Sequence, residues 1–242
     1  MKKLIFFFVF SLLCFKASAQ QTIFAVPSAD VAEPGQLVVM ETAQFDFLSP
    51  NSFWNGAHSA MFGIGYNTEI NTTLFNTSSP ASNNVSLGVG FKTAIPILKN
   101  ELPEEEIKLT IGEMIPVSLE GQGDTVGNWT YGHLSFRLPK VKTRITAGSN
   151  FGTKQIFGRN QISFLGGIEQ PIPFVEKTKV ITSANLIADY FSGTHGFGFL
   201  ILGLNASTIG GISAFGGYQI PNNPRCGHAG LIAGISKSFK LF

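Results

Sequence analysis

Apolar and polar side chains alternate with a period of two along most of this chain. In NVSLGVGFKTAI (84–95), Val85, Leu87, Val89, Phe91 and Ile95 share one face, while Ser86, Gly88, Gly90, Lys92 and Ala94 share the other. In KVITSANLIADY (179–190), Val180, Ala184, Leu186, Ala188 and Tyr190 oppose Lys179, Ser183, Asn185 and Asp189, with Ile181 and Ile187 as exceptions. TRITAGSNF (143–151) sets Ile145, Ala147 and Phe151 against Arg144, Thr146, Gly148 and Asn150. A period of two predicts half-buried strands. Helical spacing is nearly absent; Pro103 to Lys108 offers one turn at most. Alternation, broken by Gly, Asn, Asp, Ser and Pro clusters, predicts twelve strands: 36–47, 57–66, 69–76, 84–96, 107–119, 128–138, 143–152, 162–170, 178–190, 196–205, 208–220 and 229–242.

The connections alternate too. Odd-numbered ones are mostly long and polar, as in SPNSFWNGAH and PNNPRCGH; several even ones are short, as in YNTE, PKVK and NAST. The fourth, ILKNELPEEEI, is the exception. Long loops at one rim and tight turns at the other are the habit of a transmembrane barrel. The nearly charge-free FGFLILGLNASTIGGISAFGG (197–217) has the length of a membrane helix, but its glycines and central polar residues predict a hairpin turning at NAST. Its first arm is apolar on both faces, which suits an interior packed shut.

Composition sharpens this picture. Charged residues are 13% of the chain, about half the globular norm of ~25%. A soluble sheet needs charges on its exposed face, whereas a membrane barrel turns its apolar face outward and pairs every backbone group by closing. The net charge of +2, without a basic stripe, argues against a nucleic-acid partner. The N-terminus reads as an export leader: Lys2 and Lys3, an apolar run from Leu4 to Phe15, then Ala17-Ser18-Ala19 before a cleavage point at Gln20. Cys14 would leave with it, so Cys226 alone remains and no intrachain disulfide is expected.

The C-terminal SKSFKLF, ending in Phe242, resembles the recognition signal of Gram-negative outer-membrane proteins, although Leu231, Ala233, Ile235, Phe239 and Leu241 run one residue out of phase with it. As a whole, the chain resembles the broad class of small bacterial outer-membrane β-barrels. The expected architecture is an all-β, closed antiparallel transmembrane barrel: leader 1–19, periplasmic segment 20–35, barrel 36–242. The expected location is the outer membrane, with membrane lipid and the barrel-assembly machinery as partners and no cofactor. Lys92, Lys108, Arg137, Arg144, Lys179, Asn185 and Asp189 are assigned to the lumen. Their mixed signs suit a narrow channel for small solutes, of unspecified identity, or a structural barrel.

Two side-chain groups carry possible chemistry. His133-Leu134-Ser135 places an imidazole and a hydroxyl on one strand face, where the base can activate the nucleophile. The pair resembles the dyad of outer-membrane phospholipase A and lipid A deacylases; that resemblance implies an acyl-ester hydrolase, with Asn150 orienting His133. Against it, Phe136 and Arg137 stand where those families carry Asn and Gly, and Leu134, Phe136 and Leu138 turn the dyad inward. The second group, Asp189, His195, Cys226 and His228, gathers metal-ligand types near the outer strand ends without dense spacing. A catalytic role and a metal site are therefore not expected. A third reading, a soluble exported barrel holding an apolar ligand, is separated by fractionation.

Overall fold

The computed structural model describes residues 23–46, 53–79, 85–99, 106–119, 126–159, 161–173 and 180–242. They form a closed barrel of twelve antiparallel strands: β1 (Gln36–Asp46), β2 (Phe53–Gly65), β3 (Thr68–Ser79), β4 (Ser86–Lys99), β5 (Glu106–Ser118), β6 (Trp129–Arg137), β7 (Arg144–Gly152), β8 (Ile162–Pro171), β9 (Ile181–Phe191), β10 (Phe199–Thr208), β11 (Ile212–Pro221) and β12 (Gly230–Lys240). Each strand pairs with its sequence neighbours, and β1 closes the sheet on β12 from Gln36↔Lys240 to Phe45↔Leu231. Closure leaves no unpaired sheet edge.

The alternation sorts as the pattern requires. Leu87, Val89, Phe91, Leu134, Phe136, Leu186, Leu202 and Ile235 are exposed on the outer wall, while Lys92, Thr110, His133, Thr146 and Asp189 are buried within. This apolar wall is the surface a bilayer-spanning barrel presents. One rim carries the tight connections. Tyr66 and Asn67 turn between β2 and β3 with φ of 52° and 53°, the geometry of a type I′ hairpin. The opposite, loop rim carries a one-turn helix, α1 (Lys154–Phe157), between β7 and β8.

Three expectations are corrected. Asn205 to Thr208 belong to β10, and the turn falls at residues 209–211, because Asn205 and Ser207 point inward and find Asn185 and Ser213. Glu106 to Lys108 are strand, paired with the end of β4, while residues 103–105 lie outside those described. The segment before β1, expected in the periplasm, is found inside the barrel from residue 23 on: residues 23–34 enter at the turn rim and run up the lumen past Glu69, Arg144 and Asp189. Residues 1–22, including the expected leader, lie outside the described chain.

Candidate functional site, a plugged lumen

The plug begins where Pro34 bridges Gly63 on β2 and the Gly35 amide donates to the Gly63 carbonyl at 2.9 Å. A side chain at Gly63 is impossible, since a Cβ there would lie 2.1 Å from the Glu33 carbonyl oxygen. One step higher, the Ala32 amide donates to Glu69 Oε2 at 2.7 Å. Glu69 Oε1 lies 3.1 Å from Lys92 Nζ, and the two side chains are 1% and 2% exposed. A buried charge needs such pairing. Next, Asp30 meets Arg144, the first residue of β7, through Nη1 at 2.7 Å and Nη2 at 3.1 Å. Arg144 also reaches Glu169 at 3.3 Å.

The tip of the plug is apolar. Ile23, Phe24 and Val26 form one buried cluster with Tyr131, Leu165, Ile187, Phe191, Phe199, Ile201 and Ile232. The apolar inner face of β10 therefore has a partner: Phe199 and Ile201 pack with the plug, and Phe24 meets Phe215 edge-on at 5.4 Å. Turning back on itself, the tip leaves its amides without strand partners. Asp189 Oδ2 accepts from Phe24, Ala25 and Val26 at 2.9, 2.8 and 3.0 Å. Main-chain donors converging on a carboxylate form a built anion nest, here with the anion supplied by the barrel.

Above the tip, aromatic rings close the loop rim. Phe157 of α1 stacks on His195 at 4.2 Å, and Trp129 stacks on Phe197 at 5.7 Å. Burial pushes the His195 imidazole below its ordinary value. A hollow near the turn rim, bordered by Ala29, Lys108, Ser135, Arg137 and Arg144, has a cavity volume of only about 10 Å³, room for roughly one water.

The residues singled out in the sequence fall as follows. Lys92, Arg144, Asn185 and Asp189 point into the lumen, and Lys108 pairs with Glu106 at 3.1 Å beside Arg137. Lys179 lies outside the described residues. His133 and Ser135 are both buried, with Ser135 Oγ 3.3 Å from His133 Nδ1 and 2.7 Å from the Thr146 hydroxyl. Asn150 does not orient His133; it donates to the Ser163 carbonyl at 3.2 Å and accepts from the Ser163 hydroxyl. Asp189 is committed to the plug, His195 stacks on Phe157, Cys226 Sγ lies 3.5 Å from the Gly193 carbonyl, and His228 is exposed. Among the described residues no group of three or more such ligand types gathers. Glu69, Asp30 and Glu169 were missed by sequence reasoning, because the plug that organises them has no periodic signature.

No family model matches the chain, and no curated protein matches it. Among solved structures, it is similar to the KdgM porin in complex with disordered oligogalacturonate, at 11% identity and a TM-score of 0.47 over 84% of this chain and 99% of that one. It is also similar to a chain solved under the heading "Unveiling the Mechanism Behind the in-meso Crystallization of Membrane Proteins", at 10% identity and a TM-score of 0.43 over 85% of this chain and 83% of that one.

Proposed function

We propose that this chain is a non-enzymatic outer-membrane barrel: a narrow channel for small solutes that its own N-terminal segment holds shut. The reading is carried by one observation, the passage of residues 23–34 through a charged lumen inside an apolar wall. With the segment withdrawn, Glu69, Lys92, Arg144, Glu169 and Asp189 line the path. Their mixed signs tune ion preference without forming a ring of one sign. Membrane lipid covers the wall, the turn rim faces the periplasm, and the leader delivers the chain to the barrel-assembly machinery.

Fractionation with heat-modifiable gel mobility, followed by planar-bilayer recording, tests both parts. The intact protein is expected in the outer-membrane fraction, with mobility that changes on boiling and rare openings. A chain lacking residues 23–33 is expected to conduct steadily. A soluble intact protein overturns the membrane reading, and a deletion that stays closed overturns the plug.

A further inference from the structure

On the membrane-barrel reading above, we infer that the outer wall of β12, β1 and β2 is a contact surface for a second copy of this chain. The outward positions of β1 are Leu37, Val39, Glu41, Ala43 and Phe45, so Glu41 is central, with apolar neighbours toward both rims. His58 lies opposite it on β2, between Trp54 on the loop side and Phe62 on the turn side. The His58 Nδ1 is hydrogen-bonded to the Glu41 carboxylate, and its Nε2 shares a hydrogen bond with Thr77 Oγ1 at 2.8 Å. The His58 and Glu41 side chains are 41% and 50% exposed. Hydrocarbon offers such groups nothing, and ionisable side chains at this depth normally face protein or water.

Lys237 on β12 adds a second base. It pairs with Val39, one outward step from the Glu41 partner Ile235. Its ammonium donates to the Gly210 carbonyl and lies 5.8 Å from the Phe239 ring. The wall thus carries base, acid and base side by side. Glu113 also points outward, but it accepts from Asn128 beside the first residue of β6, at the loop rim.

The choice of occupant follows from this charge order. Around an isologous two-fold axis that runs along the membrane normal between β1 and β2, the Glu41 of each copy faces the His58 of the other, so one patch completes itself. Ala43, Ala60 and Ala233 flank the acid and permit close approach of two walls, as small residues do between membrane segments. The wall of β9 and β10, about a quarter-turn around the barrel, instead presents Leu186, Leu202 and Leu204. Lipid headgroups sit at the rims and do not reach the centre of the band.

Photo-cross-linking in native membranes tests this, with a benzophenone amino acid in place of Ala60 or, as a control, Leu202. From position 60, a product containing two copies of this chain, identified by mass, is expected at roughly tenfold the yield from position 202. The Glu41→Leu/His58→Leu double variant is expected to lose most of that product while keeping heat-modifiable mobility. Adducts to lipid only, adducts to a different protein, or equal yields from both positions overturn the second copy. A wild type without heat-modifiable mobility fails the barrel reading itself, which is a different result.

Discussion

Arg144 holds Asp30 with both ends of its guanidinium, Nη1 to Oδ2 at 2.7 Å and Nη2 to Oδ1 at 3.1 Å, although the two residues are 114 positions apart. This is the side-chain lock between the plug and the barrel wall. Two parallel charge-assisted bonds are stronger and more directional than neutral ones.

Asp30→Asn is expected to weaken that lock. Arg144 keeps Glu169, so no buried charge is stranded, and the loss is about 1.5–3 kcal/mol. The open probability in bilayer recordings should rise by roughly ten- to a hundredfold. An unchanged open probability would show that Asp30 does not restrain the segment.

Asp189 grips the tip through three amides, so Asp189→Ala leaves three donors without their acceptor, the buried ones of Phe24 and Val26 at about 1–3 kcal/mol each. In a Cys226→Ser background, Ala25→Cys should resist a membrane-impermeant maleimide when Asp189 is present and react with it in the Asp189→Ala protein. Asp189→Asn, which keeps an oxygen but not the charge, should fall between them.

Gly167 is where the wall yields to the plug: a Cβ there would lie 2.2 Å from Ile23 Cδ1. Gly167→Val is expected to evict the tip, raising conductance and lowering the melting temperature by several degrees. Ile23→Ala in the same chain should restore closure. If it does not, the glycine serves the strand and not the plug.

The cap at the loop rim is expected to respond to pH. His195 accepts from the Phe197 amide at Nδ1, and burial places its folded value below the ordinary 6.5. The unfolded chain therefore binds the proton more readily. Its contribution is complete above about pH 6.5 and is lost as pH falls below that, through the folded value. Trp129 fluorescence, read in a Trp54→Phe background, should change over this range through its stacking partner Phe197. His195→Phe should abolish the change.

The wall was legible because alternation is local: each strand states its own two faces, and the twelve predicted strands all occur. The dry inner face of β10, Phe199 and Ile201, was also visible as an anomaly, but its partner was not. Ile23 to Glu33 carry no period, since they follow no sheet and the amides of Phe24 and Ala32 are satisfied by Asp189 and Glu69, 165 and 37 residues away. Without the plug, Asp189 reads simply as pore lining and Glu69 does not stand out at all. The NAST turn was misplaced for a related reason. Asn205 and Ser207 resemble turn residues until Asn185 and Ser213 are found beside them on the neighbouring strands β9 and β11.

The plug is continuous with β1 through Gly35, while its tip points toward the loop rim. On the channel reading proposed above, it leaves by retracting toward the turn rim and remains tethered when it does. A tethered blocker competes for its site at an effective concentration that short linkers set near the millimolar range. Reclosure is then first-order: its rate is the same at one barrel per cell as at thousands, and no freely diffusing inhibitor of ordinary abundance could match it.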